Sequence, residues 1–169
     1  MNLPKRKSNR LPEYDYSQPR FYFITVCTYK MTHYFGSVSD QKFTPSTNGD
    51  IVTNNWLKIP QYFPTVGHDV FQIMPNHIHG ILAIDSDFVS GQILKRQDMI
   101  IPKVIREFKR FSTLEIRKNV TPAFRWQRSY YDHVIRNERS LERIREYILL
   151  NPENWERDRN RIDDNPFNM

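Results

Sequence analysis

The apolar pattern predicts an α+β sandwich: one mostly antiparallel sheet with helices packed on it. A split-βαβ, ferredoxin-like plan is the simplest topology of that kind. Three observations predict it. Extended and helical patterns follow the order strand, helix, two strands, helix, short strand, helix. Pro75-Asn76, a turn-forming pair, separates two apolar runs. From Pro102 onward apolar residues recur at helical spacing.

Each element has its own signal. Arg20–Thr28, RFYFITVCT, is rich in aromatic and β-branched residues and reads as a buried strand. His33–Ser37 and Lys42–Pro45 read as short strands around the polar Ser37–Gln41 turn. A helix follows Asn48 or Asp50, with Ile51, Trp56, Leu57 and Ile59 as its stripe, and ends near Pro64. Val66–Met74 and His77–Asp85 are two further strands, and residues 86–99 are polar and loop-like. Val104, Ile105, Phe108, Phe111, Leu114 and Ile116 line the next helix, whose other face carries Lys103, Arg106, Lys109, Arg110, Arg117 and Lys118. Pro122 bars its continuation. Phe124–Ile135 suits a strand or a loop. A last helix starts near Asn137 or Ser140, with Leu141, Ile144 and Ile148 as its stripe, and Asn151-Pro152 stops it. The organisation is therefore a basic arm over residues 1–19, one domain over 20–155 and a tail over 156–169.

Composition narrows the function classes. The 169 residues suit one domain. Lys and Arg number 25 against 19 Asp and Glu, a net charge of +6 that suits a polyanionic partner. One cysteine, Cys27, excludes a disulfide framework and a cysteine-based zinc cluster, so a reducing cytoplasm is the expected location. No stretch approaches the ~18 apolar residues of a membrane span, and the first residues hold no apolar signal segment. Lys5, Arg6, Lys7 and Arg10 lie in the arm, which is either a solvated tail or a contact to phosphate.

Two constellations can carry chemistry. In a strand, His77 and His79 project to one side while Ile78 projects to the other. Such a pair can share a metal ion, or can be two ordinary half-exposed strand histidines. On the last helix Arg143, Tyr147 and Asn151 share a face. Tyr147 is either a boundary tyrosine or a phenol placed to attack phosphorus. A phenol needs its pKa of about 10 lowered, or its proton removed, to attack at neutral pH.

Four stretches resemble one family. They are RLPEYDYSQPRFYFITVCTY at Arg10–Tyr29, IMPNHIHGIL at Ile73–Leu82, WQRSYYDHVIRNE at Trp126–Glu138 and LERIREYILLNPENW at Leu141–Trp155. Together they resemble the IS200-like, REP-associated tyrosine transposases, which belong to the HUH (His–hydrophobic–His) single-strand nucleases. The resemblance covers about residues 10–155 and implies a HUH endonuclease-type, ferredoxin-like fold. It implies that His77 and His79 are metal ligands, that Asn151 completes the site and that Tyr147 is the nucleophile. The implied cofactor is Mg²⁺ or Mn²⁺. The implied activity is cleavage and rejoining of single-stranded DNA beside hairpin-forming, REP-like palindromes, through a 5′-phosphotyrosine link. Such relatives act as a monomer or a homodimer.

Other residues are weighed beside these. Lys103, Arg106, Lys109 and Arg110 are expected to line a nucleic-acid groove. Trp126, Tyr130 and Tyr131 are candidates for stacking on unpaired bases, with aromatic packing as the alternative for Tyr131. His133 contacts DNA or caps a strand, and His33 and His68 read as structural. Three rival functions stand beside the transposase reading: a binding module without catalysis, a nuclease using water, and a replication-initiator or relaxase-type relative.

Overall fold

The computed structural model describes residues 14–85 and 99–158, with side chains described to Trp155. The expectations for Lys5, Arg6, Lys7 and Arg10 and for the 86–98 loop lie outside the described residues.

Period-two alternation builds the sheet. Strands β1 (Phe21–Cys27), β4 (Val66–Met74), β5 (His77–Ile84) and β6 (Tyr131–Ile135) form one four-stranded sheet in the order β4-β5-β1-β6. Every neighbouring pair is antiparallel. Counted along this sheet alone the order is 2-3-1-4, the arrangement of the ferredoxin-like plan. A separate hairpin of β2 (Gly36–Ser39) and β3 (Lys42–Pro45) turns through Asp40 and Gln41, both at positive φ. The expected strand at His33–Ser37 is therefore displaced toward the chain's end. Gly36, at φ 143°, opens β2, and a Cβ there would lie 2.1 Å from the Thr44 carbonyl oxygen.

The helices divide between the two faces. Helix α1 (Thr47–Leu57) is capped by Ser46, whose side chain accepts from the Gly49 N–H. The short α2 (Ile59–Tyr62) follows it, so the single helix expected up to Pro64 is two. Helix α3 (Ile100–Asn119) starts two residues before Pro102, which sits harmlessly in the first turn. Ile51, Val52 and Trp56 of α1 and Ile101, Val104, Ile105 and Phe108 of α3 pack with Tyr22, Ile24, Val26, Ile78 and Leu82 of the sheet. Helix α4 (Glu138–Leu149), capped by Asn137, covers the other face. Its Leu141, Ile144 and Ile148 pack on Phe23, Ile81 and Ile135. Asn151-Pro152 does not end the helical run: α5 (Asn151–Asp158) begins there, with Pro152 in its first turn.

Gly80 shows how tightly the first layer is fitted. It faces α1, and a Cβ added to it would meet Trp56 Cζ2 at 2.4 Å. Gly80→Ala should lower stability by about 1–3 kcal/mol through overpacking. Adding Trp56→Phe, which removes the clashing ring, should recover part of that loss. Urea melts of the single and double variants check this, and a Gly80→Ala protein as stable as wild type would refute the fit.

Candidate functional site

The second face of the sheet gathers the polar residues. The β1–β5 register sets Thr25 opposite His79 and Cys27 opposite His77. His77 and His79 thus point toward α4, with ring centroids 4.5 Å apart. Both are buried, at 7% and 6% exposure. Phe23 stacks on His79 at 5.3 Å and meets Tyr147 edge-on at 6.2 Å. Tyr147 descends from α4, and its hydroxyl lies 3.4 Å from His79 Nε2. That distance is long for a hydrogen bond. Asn151 starts α5 and is 1% exposed. Trp155, one turn later, lies over His77 at 6.1 Å.

Neighbours set the tautomers. Asn76 Nδ2 donates to the Met31 carbonyl, at 3.2 Å, so its Oδ1 faces His77 Nδ1, at 2.7 Å. His77 must then carry its proton on Nδ1 and its lone pair on Nε2. Met31 reaches Asn76 because Lys30 and Met31 turn through positive φ. Thr28 and Phe35 donate backbone N–H groups to the carbonyls of Asn76 and Pro75. His79 Nδ1 is 2.8 Å from Thr25 Oγ1. A proton on that nitrogen leaves the Nε2 lone pair beside the Tyr147 hydroxyl.

Electrostatics keep the pair neutral. Burial pushes His77 down to about 4, with the Asn151 side chain opposing and His33 reinforcing the shift. Burial, with His77 adding to it, holds His79 well below the usual imidazole range. Neutral imidazole is the form that binds metal. His77 Nε2 is buried and makes no hydrogen bond among the described residues. Among those residues no three His, Cys, Asp or Glu gather to hold a metal. Two imidazole nitrogens and an amide oxygen nonetheless fit a divalent cation whose remaining positions take water and phosphate oxygens.

The structure separates the other expected residues from this cluster. Trp126 is a correction: it is 8% exposed, packs on Phe35, Phe108 and Phe124, and donates its indole N–H to Ser112. It has no open face for a base. Tyr130 packs against the same core. Tyr131 shares the histidine face but lies beyond β1, edge-on to Phe23. His133 occupies the same face further along β6. The basic face of α3 belongs to the opposite layer. Lys103 and Arg106 are exposed there, Arg106 and Arg110 both pair with Glu107, and Lys109 donates to the carbonyls of Gln127 and Arg128. Thr25, Asn76 and Trp155 were not expected. Asn76 and Trp155 are hinted at by their spacing from His77 and Asn151, whereas Thr25 needs the strand register. His33, read as structural, lies 5.6 Å from Trp155 on the same side.

The fold and the site together define a ferredoxin-like α+β protein with a buried histidine pair facing a helix-borne tyrosine. No protein-family profile matches the chain. An uncharacterized protein of Haemophilus influenzae is 38% identical over 170 residues, covering 94% of each chain. The chain belongs to the same family as that protein. Its fold is similar to that of a REP-associated tyrosine transposase solved bound to a REP hairpin, with a TM-score of 0.59 and 19% identity. That similarity covers 86% of this chain and 73% of the other. No helix among the described residues is long and apolar enough to cross a membrane.

The buried pair should make stability depend on pH. The unfolded chain takes up protons near 6.5, while native His77 resists until about 4. Unfolding free energy therefore falls as pH drops through 6.5 and flattens below about 4. Thermal melts in metal-free buffer across that window should show a falling Tm, with a smaller slope in His77→Gln. An unchanged slope in that variant would show that His77 is solvated.

Proposed function

We propose that the chain is a site-specific single-strand DNA endonuclease of the transposase type, with Tyr147 as its nucleophile. It cleaves and rejoins DNA next to hairpin-forming palindromes through a 5′-phosphotyrosine intermediate. Residues 20–155 form the domain that does this. The observation that carries the reading is the Tyr147 hydroxyl 3.4 Å from Nε2 of a buried, neutral histidine whose partner points the same way. The hairpin bound to the structurally similar transposase supports the DNA class.

His77 and His79, through Nε2, and Asn151 would hold Mg²⁺ or Mn²⁺. When bound, that ion supplies charge for the phosphate and lowers the pKa of a nearby phenol. The residues do the rest. Asn76 and Thr25 hold the two rings with Nδ1 turned away from the substrate. Phe23 and the α4 stripe keep Tyr147 beside them, in a setting where charge interactions are stronger than in water. The Tyr147 oxygen–phosphorus bond forms as the phosphorus–O3′ bond breaks. The phenol proton passes to solvent and the 3′ oxygen takes one up, so rejoining needs no external energy source.

Tyr147→Phe removes one oxygen and almost no volume. A labelled single-stranded hairpin substrate with Mn²⁺ should give a covalent protein–DNA band on denaturing gels. The band should vanish in Tyr147→Phe and survive in Tyr130→Phe and Tyr131→Phe, while hairpin binding persists. His77→Ala and His79→Ala should also lose the band. Cleavage with free ends and no band would instead indicate a nuclease using water, and binding without cleavage a silent module.

Affinity should rest on phosphate contacts away from the scissile bond, where Lys103, Arg106 and Arg110 are exposed. Binding should then weaken with salt, with a log–log slope of about −0.7 per contact. A salt-independent affinity would show that this face is merely solvated.

A further inference from the structure

We propose that the Asp69–Arg145 ion pair is a positioning device that sets the roll of α4, and with it the place of the Tyr147 hydroxyl. The proposal rests on the reading of Tyr147 as the nucleophile.

Helix α4 lies on the sheet along one narrow line. Leu141, Ile144 and Ile148 are its buried residues. A helix seated on a single stripe resists sliding but can roll about that line. Tyr147 sits on one flank of the stripe and Arg145 on the other, because they fall about 80° to either side of the Ile144–Ile148 row. A small roll therefore lifts the phenol from, or presses it toward, His79. Arg145 ties α4 to β4 of the sheet through Asp69.

The tie has the geometry of a fixed strut. Arg145 Nε lies 3.2 Å from both Asp69 oxygens, and Nη2 lies 2.5 Å from Oδ2. Two-point Arg–carboxylate contacts fix orientation as well as distance. Each end is itself held. Asp69 Oδ1 accepts from the Val70 N–H at 2.6 Å, and Arg145 Nη1 donates to Glu142 at 2.5 Å. The pair is partly shielded, at 30% and 18% side-chain exposure, which separates it from freely solvated surface pairs.

Asp69 and Val70 both lie on this face because β4 is irregular. Its register with β5 shifts between His68 and Phe71, so Asp69 and Val70 together oppose Ile81. A bulge of this kind re-aims a side chain. Val70 packs with the α4 cluster, and Asp69 beside it meets Arg145. Burial alone would raise the Asp69 carboxyl. The hydrogen bonds from Arg145 and Val70 outweigh it and hold the group below its ordinary value, so the strut is charged at neutral pH.

The test is a double-mutant cycle on the full chain with two independent readouts. Asp69→Asn, Arg145→Met and the double variant are prepared with and without 3-fluorotyrosine incorporated at position 147. The first readout is the single-turnover rate of adduct formation at saturating hairpin DNA, well below each variant's Tm. Each single variant should react about tenfold to a hundredfold more slowly with unchanged hairpin affinity. The double variant should be no slower than either, because the pair acts as a unit. The second readout is the ¹⁹F signal at position 147 in DNA-free protein, which should shift alike in all three variants. Wild-type rates and an unmoved ¹⁹F signal would overturn the proposal, as would slowing that adds in the double variant. If wild type forms no adduct, the reading of Tyr147 fails, and the ¹⁹F comparison still decides whether the pair sets the helix.

Discussion

The pairing register of β1 with β5 is the constraint on which the rest depends. It puts Thr25 across from His79 and leaves Ile78 and Gly80 on the opposite face. A slip of one residue would send both imidazoles into the α1–α3 core and bring Ile78 to the site. Two features oppose that slip. Ile78 and Leu82 are fully buried against α1 and α3, and Trp56 fills the space that only Gly80 leaves. The close seat of Trp56 on one face therefore helps to define the chemistry on the other.

The loop after β1 extends the same logic. Its left-handed turn at Lys30 and Met31 brings a carbonyl to Asn76, and Asn76 then orients His77. Backbone strain of this kind persists where surrounding contacts over-determine it, and it clusters at functional sites. The histidine pair is thus preorganised by two unrelated devices: a side chain across the sheet for His79 and a strained loop for His77. The α4 side contributes the smaller apolar cluster and the Asp69–Arg145 ion pair to the sheet.

Much of this was legible in the residues, and the exceptions have physical reasons. Phe21–Cys27, Val66–Met74 and His77–Ile84 are dense in β-branched and aromatic residues, and their bounds follow within a residue or so. The stripe of α4 and the shared face of His77 and His79 follow from periods of 3.6 and 2, whereas the grouping of that pair with Tyr147 and Asn151 follows from the family resemblance. Trp126 misled because indole composition does not report burial; its N–H found Ser112 inside the core. The layer to which the basic helix belongs was not legible either. Periodicity shows that α3 has a cationic face but not which side of the sheet it covers. Thr25 and Asp69 were invisible, since the first depends on strand register and the second on meeting Arg145 from a distant helix.

The central claim is that the two Nε2 lone pairs and the Tyr147 hydroxyl converge on one point. Anomalous diffraction from crystals soaked with Mn²⁺ measures this most directly. The account predicts a single strong peak bonded to Nε2 of His77 and of His79, with the Asn151 side chain at its edge and the Tyr147 oxygen beside it. Mn²⁺ bound elsewhere, or imidazoles turned so that Nδ1 faces Tyr147, would contradict it.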